Sequence, residues 1–329
     1  MSDLKAIDVM NYPSQCVSGL VDWGKWDEFQ QMARSTFMTV FPTGRFPDAP
    51  GFPKDPVEEK VYKRTYGTLF NPYKTIEEMI QDMDKLGYDK ICVTATKMWS
   101  YRRHFDMIFD FTVEQIRKIM DIAGDRVIGA AGYNPFRIEE SLKEIEIAVK
   151  EFGFKYVYFH PITFGLSVND KRCYPLYAKC NELEIPVGMQ VGHSAEPLPS
   201  WVGHPVDIDE VAIDFPHLKI NLSHTGWPWI DEWCSMLWKH PNVYGDISAY
   251  MPKSLDERTV RFMDSPRGRN KVMFGTNGLG LKVCLDQFKS LELEEETKAR
   301  ILRKRSGVLR PRGLGGDIHK RVRTCDQER

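Results

Sequence analysis

Eight short apolar runs, each followed by a stretch with helical spacing, limit what this chain can fold into. The runs cover residues 5–9, 90–95, 126–131, 155–159, 186–191, 218–222, 243–247 and 271–275. Runs of this length, apolar nearly throughout, are the pattern of parallel strands buried on both faces. Parallel neighbours need a crossover between them, and helices are the usual crossover. Residues 75–86 open with Thr75 and carry Glu77 and Glu78 in the first turn, where carboxylates complement the exposed amides. Residues 139–152 space Leu142, Ile145, Ile147, Ala148 and Phe152 along one side and stop at Gly153. Similar patterns at 176–183, 205–215, 231–240 and 294–303 continue the alternation. The expectation is an α/β chain closed into a (β/α)₈ TIM barrel over residues 1–303. An open doubly wound sheet shares the local pattern, but no Gly-x-Gly-x-x-Gly follows the first run.

Two segments interrupt this order. Residues 13–74 are rich in Trp, Phe, Tyr, Pro and Gly, with one short helical pattern at 26–38, and read as a lid-like insertion after strand 1 or a subunit contact. Arg45 and Lys54 within it could meet an anionic substrate or remain solvated. Residues 304–329 are basic, rich in Gly and Arg, and read as a disordered tail. The formal net charge is −1, so no nucleic-acid partner is expected, and the tail has no aromatics for base stacking. No run is long enough to span a membrane, and the first residues lack the layout of a signal peptide. The seven cysteines are scattered without a Cys-x-x-Cys pair, which argues against a disulfide framework and a thiolate zinc site. A cytoplasmic homo-oligomer acting on a small molecule is expected.

In a barrel of this kind the carboxyl ends of the strands converge on one mouth, where chemistry is placed. The fifth run leads through Gly192 into His193, and the sixth leads from Ser223 into His224-Thr225-Gly226-Trp227. The fourth ends at His160; the first gives Met10, Asn11 and Tyr12; the seventh Asp246 and Ser248; the eighth Asn277. The pocket so assembled is rich in imidazole and amide and poor in carboxylate. Imidazole changes charge near neutrality, so His193 and His224 suit general acid–base work. Tyr12 could donate a proton, and Asn277 could support a developing oxyanion. Arg102 and Arg103, followed by His104, are candidates for a bidentate carboxylate clamp, with exposed solvated arginines as the alternative. Trp227 and Trp229 form an aromatic wall or pack beneath the next helix.

Ile7-Asp8-Val9, His160-Pro161, Gly192-His193, Ser223-His224-Thr225-Gly226-Trp227-Pro228-Trp229, Tyr244-Gly245-Asp246-Ile247-Ser248 and Phe274-Gly275-Thr276-Asn277 together resemble the amidohydrolase superfamily. The likeness is to the amidohydrolase-related branch that includes aminocarboxymuconate-semialdehyde decarboxylase and the resorcylate-type decarboxylases. It implies a (β/α)₈ barrel, a divalent metal such as zinc or manganese, His193 as the fifth-strand metal ligand and His224 as the sixth-strand catalytic histidine. His160 matches a position near the site. The family's first-strand His-x-His falls on Met10 and Tyr12, and its eighth-strand aspartate falls on Asn277. Thioether, phenol and amide are poor donors to a divalent ion, so no tightly bound catalytic metal is expected.

The expected function is therefore an amidohydrolase-like enzyme acting on a small cyclic or aromatic carboxylated compound. The reaction would be carbon–carbon cleavage of the non-oxidative decarboxylase type, through histidine acid–base chemistry at His193 and His224 with Tyr12 and Asn277. Met10, His160, Arg102, Arg103 and Trp227 would contact substrate. Hydrolysis of a cyclic amide, lactone or carbon–carbon bond is the alternative, and a decayed barrel that binds or assembles is a third reading.

Overall fold

The computed structural model describes residues 4–19, 26–32, 71 and 73–303. Arg45 and Lys54, most of the insertion and the basic tail lie outside the described residues. The elements in chain order are β1 Ala6–Asn11, α1 Gln15–Ser18, α2 Asp27–Met32, α3 Ile76–Leu86, β2 Tyr88–Thr94, β3 Lys97–Trp99 and β4 Met107–Asp110. There follow α4 Val113–Ala123, β5 Val127–Ala131, α5 Ile138–Lys150, β6 Tyr156–Phe159, α6 Tyr174–Glu182, β7 Val187–Gln190 and α7 Ile208–Asp214. The last are β8 Ile220–Ser223, α8 Ile230–Lys239, β9 Val243–Asp246, α9 Glu257–Asp264, β10 Val272–Met273, α10 Leu281–Lys289 and α11 Glu295–Arg303.

Eight parallel strands pair in the order β1-β2-β5-β6-β7-β8-β9-β10. Backbone bonds from Val9 N to Phe274 O (3.0 Å) and from Asn277 N to Met10 O (2.9 Å) bring the last strand to the first. All eight strands expected from the sequence are present, with ends displaced by a few residues. The antiparallel hairpin β3–β4 was not anticipated. It follows strand β2 directly, so its apolar residues blend into one run. Helices α4, α9 and α10 also lie outside the expected pattern, although Thr112 and Gln115 form a reciprocal capping box at the start of α4. Among the described residues no helix is long and apolar enough to cross a membrane.

Alternate residues of each strand face opposite sides, and the core divides accordingly. Val157, Phe159, Val187, Met189, Ile220 and Leu222 belong to the cluster between strands and helices. Met10, Cys92, Ala130, Tyr156, Tyr158 and Met273 form a second cluster inside the barrel. The interior is tight: a Cβ on Gly188 would lie 1.6 Å from Tyr156 Oη, so only glycine leaves room for that ring. Cys92 is fully buried in this inner cluster, in keeping with a packing role.

One buried carboxylate ties the barrel's seam. Asp8 Oδ1 accepts from Met10 N (3.1 Å) and Thr276 N (2.9 Å), and Oδ2 from Asn11 Nδ2 (2.9 Å) and Thr276 Oγ1 (2.6 Å). Burial pushes its pKa up to about 7, against the pull of these donors. Asp8→Asn would set an amide N–H₂ against donors and cost about 1–3 kcal/mol, seen as a lower urea midpoint. A carboxyl that holds its proton more tightly when folded adds stability below its ordinary pKa and loses it as pH rises through the folded value. The wild-type midpoint should therefore carry a downward component between about pH 4 and 7 that Asp8→Asn lacks; identical pH profiles would remove Asp8 as its source.

Candidate active site

Inward alternation on β8 and β9 places Asn221, Ser223 and Asp246 inside the barrel, all buried. Asp246 Oδ2 accepts from Asn221 Nδ2 and Ser223 Oγ, each at 2.7 Å. Its Oδ1 accepts from Ser248 N at 2.9 Å and from Ser248 Oγ. The residue after Ser223 should by strict alternation face outward. At His224, however, the backbone turns to φ 74°, and Thr225 follows at φ 60°. Positive φ outside glycine is uncommon and tends to be held in place at functional sites. Here the turn lets the His224 ring reach Ser248, just past the end of β9, and Tyr158 on β6.

His224 Nδ1 lies 3.1 Å from Ser248 O and 2.7 Å from Ser248 Oγ. A carbonyl only accepts, so Nδ1 carries the hydrogen. Nε2 is then a lone pair, 3.3 Å from the Tyr158 hydroxyl that donates to it. Burial holds the ring's pKa below the usual imidazole range, partly opposed by the Asp246 carboxylate and the Ser248 carbonyl. Asp246, Ser248 and His224 thus form a line that fixes one tautomer and presents a neutral base to the barrel mouth.

Tyr12 and Asn277 meet at the seam between β1 and the last strand. The Tyr12 phenol is held well above its ordinary pKa, first by burial and then by the Glu196 charge, while a bond from Asn277 pulls the other way. Asn277 adopts φ 53°, and its Oδ1 is buried without a partner among the described residues. Tyr158 is likewise raised by burial, then by the charges of Tyr12 and Asp246, with a contribution from Glu196. Tyr158 and His224 are therefore in contact, and Tyr12 and Asn277 stand together at the seam.

The other expected site residues fall into three groups. His160 is buried, accepts from Thr163 N at 3.2 Å through Nδ1 and caps the turn Pro161–Phe164. Burial and then the His224 charge push its pKa down to about 3, so it stays neutral beside the site. His193 lies beyond the end of β7, on the loop; its amide donates to Trp227 O (2.9 Å) and its ring stands 4.4 Å from that of Trp227. Trp227 is partly exposed, at 40%. Met10 is packed in the inner cluster. Arg102 and Arg103 are exposed on the β3–β4 turn. Arg102 N donates to Glu28 Oε1 (3.2 Å), its guanidinium reaches Asp27 (3.8 Å), and Arg103 lies over the Trp26 ring at 5.4 Å. The two arginines are thus engaged with α2 and its approach at the rim.

Three residues of the site had no assigned role in the sequence reading. Tyr158 follows from alternation alone, since Tyr156, Tyr158 and His160 share one face. Gln190, the last residue of β7, is the one strongly polar residue in its run and donates to Ser194 Oγ at 3.3 Å. Ser194 in turn donates to Glu196. Glu196 is partly exposed at the mouth, yet ringed by protein; burial raises its pKa, the Ser194 bond lowers it, and Glu28 adds to the rise.

The divalent ion implied by the resemblance does not fit this donor set. Met10 offers a thioether already packed among apolar groups, Tyr12 a phenol that keeps its proton, and Asn277 a neutral amide. Among the described residues no three His, Cys, Asp or Glu side chains converge as metal ligands do. The His224 geometry predicts that nitrogen-edited NMR of the histidine rings at pH 7 shows it as the neutral Nδ1–H tautomer. An Nε2–H or imidazolium signature would overturn the assignment.

Comparison with known proteins agrees with this architecture. A TIM-barrel protein of Bordetella bronchiseptica, itself uncharacterised, superposes with a TM-score of 0.68 at 22% identity, covering 91% of this chain and 96% of that one. The 5-carboxyvanillate decarboxylase of Novosphingobium aromaticivorans, complexed with manganese and 4-hydroxy-3-methoxy-5-nitrobenzoic acid, gives 0.59 at 15%, covering 92% and 97%. A probable 2-pyrone-4,6-dicarboxylic acid hydrolase of Acinetobacter baumannii, with citric acid bound, gives 0.54 at 12%, covering 91% and 96%. At these identities the likeness establishes the fold. Comparison with curated proteins finds no matching sequence. The amidohydrolase family model matches residues 77–304, well over half the chain. With the strand-end histidines and the closed barrel in place, this chain belongs to the amidohydrolase family.

Proposed function

We propose that this chain is a carbon–carbon lyase of the decarboxylating type, acting on a small cyclic or aromatic carboxylated compound through side-chain acid–base chemistry. The observation that carries the reading is the His224 arrangement: a buried, neutral imidazole with its tautomer fixed by Ser248 and its Nε2 lone pair joined to the Tyr158 hydroxyl. The solved neighbours that bind aromatic acids support the substrate class by fold analogy alone.

A hydroxylated ring acid seated against Tyr158 would pass its hydroxyl proton to the Tyr158 oxygen as Tyr158 passes its own to His224 Nε2. Electron density would move to the ring carbon that bears the carboxylate, which takes a proton from a neighbouring O–H group. The bond to the carboxylate then breaks, carbon dioxide leaves, and the bonding pair restores the ring. His224 returns its proton through Tyr158 to the ring oxygen, and solvent reprotonates the donor, so that one proton replaces one carbon dioxide overall. Tyr12, Tyr158 and Asn277 would hold the oxygen on which charge develops. Hydrolysis is the second reading, favoured by the same pair: Tyr158 could take a proton from an attacking water as it passes its own to Nε2.

The test is turnover by the full chain on a panel of hydroxybenzoates and small lactones, followed by product analysis. Positioned general acid–base groups contribute about 10²–10⁴-fold, so His224→Ala should lose activity by that order. Dialysis against a chelator should leave the rate in place. Full turnover by His224→Ala would remove the proposed base. Loss of activity on chelation would restore a metal to the mechanism, and no turnover on either panel would favour a binding barrel.

A further inference from the structure

Side chains on β6 alternate between two faces. Val157 and Phe159 belong to the cluster between strands and helices, and Tyr156 and Tyr158 to the cluster inside the barrel. His160 follows at φ −117° and ψ 81°, before the chain turns helical at Pro161, so its ring takes the inner face one step beyond Tyr158. Two residues of strand advance about 6–7 Å. His160 therefore stands that much nearer the mouth than Tyr158, whose hydroxyl meets His224 Nε2 at 3.3 Å.

The imidazole is held from behind. Nδ1 accepts from Thr163 N at 3.2 Å, and a ring nitrogen that accepts carries no hydrogen, so Nε2 is the N–H. Thr163 is clamped in turn: Trp99 Nε1 donates to its carbonyl at 2.7 Å, and its hydroxyl donates to Trp99 O at 2.6 Å. His160 is 4% exposed, yet Nε2 is not among the side-chain atoms enclosed without a partner, and no other described residue accepts from it. An N–H that is neither bonded nor sealed off opens on the mouth, where a ligand can accept from it. Burial and then the His224 charge hold the pKa at about 3, so this donor carries no charge.

We propose that His160 receives the ligand's carboxylate through Nε2–H, a neutral donor that orients the group without neutralising it and so selects carboxylated ligands. The inference rests on the carboxylated substrate class proposed above. With the ligand's hydroxyl against Tyr158, its second polar group falls to the next donor along the same strand face. The cations that follow β2 are engaged elsewhere. Lys97 Nζ bonds Asp110 Oδ1 (3.1 Å), Phe111 O (3.2 Å) and Glu144 Oε1 (3.3 Å), and Arg102 and Arg103 meet α2 and its approach. Decarboxylation moves the carboxylate's negative charge into the ligand's ring, so a cation beside the carboxylate would stabilise the ground state more than the transition state. A neutral N–H positions the group with less of that cost.

The experiment titrates 2,6-dihydroxybenzoate, and resorcinol as the same ring without the carboxylate, into the full chain at pH 7. Nitrogen-edited NMR should show free His160 as the Nε2–H tautomer, opposite to His224, with its Hε2 resonance moving downfield as the benzoate binds and not with resorcinol. Two variants separate the donor from the turn it caps. His160→Asn keeps a side-chain oxygen for Thr163 N but is too short to reach the ligand, and should weaken benzoate binding about tenfold or more by calorimetry, the order expected for a hydrogen bond to a charged group. His160→Gln restores an N–H near the place of Nε2 and should bind within about threefold of wild type, as a retained donor predicts. Resorcinol should bind wild type and His160→Asn alike. An Nδ1–H tautomer at His160, or benzoate binding unchanged in His160→Asn, would overturn the proposal. Equal losses in His160→Asn and His160→Gln would make the ring a structural cap, and an equal loss for resorcinol would assign the donor to a ring oxygen; either overturns it, as does no benzoate binding up to millimolar ligand. Binding that depends on His160 without turnover would sink the lyase reading and leave this subsite standing. Turnover that depends on His224, with KM unchanged in His160→Asn, would do the reverse.

Discussion

Closure of the eight-stranded ladder is the constraint from which the rest follows. Once Val9 and Met10 meet Phe274 and Asn277 across the seam, every second strand residue points into a space with no access to bulk water except at the mouth. A polar group placed there must find its partner there or destabilise the fold. At the seam, on the strand face opposite Ile7 and Val9, Asp8 takes four donors, two of them backbone amides. Asp246 takes Asn221, Ser223 and Ser248. Both carboxylates also fix the strand ends they join, so the same bonds that satisfy buried charge position the pocket wall.

His224 shows how that rigidity becomes chemistry. A left-handed backbone at a bulky residue costs about 1–3 kcal/mol and persists only where the surroundings over-determine it. Bonds to Ser248, itself held by Asp246, do so here. The strain turns a side chain that alternation would send outward into the barrel mouth. Its ring is then locked in orientation and tautomer before any ligand arrives, which is the condition under which a proton acceptor works well.

The barrel mouth also shows how a family site can change its chemistry while keeping its frame. Where the resemblance implies imidazole and carboxylate around a divalent ion, this chain has thioether, phenol and amide. Tyr158 fills space beside His224, and Glu196 brings a carboxyl to the rim. Neutral hydroxyl donors surrounding a neutral base can hold an anionic or partly ionised ring through hydrogen bonds, in the low-dielectric setting where such bonds are strongest.

The eight strands, most of the intervening helices and the histidines at strand ends are legible in the residues alone, because these depend on local periodicity and on the residues that cap and stop each element. So are the substitutions at Met10, Tyr12 and Asn277, since they show against the family pattern without coordinates. Which of those side chains meet depends on long-range packing. His193 and His224 look alike in sequence, each closing an apolar run. Yet β7 ends at Gln190, leaving His193 on a loop against Trp227, while a left-handed turn swings His224 inward to Tyr158. Arg102 and Arg103 looked available from sequence and are engaged with α2 at the rim, because an unforeseen hairpin carries them there. Glu196 takes its place from the path of the loop after β7, where Ser194 donates to it. Backbone torsion and loop path act between residues distant in sequence, and no periodicity records them.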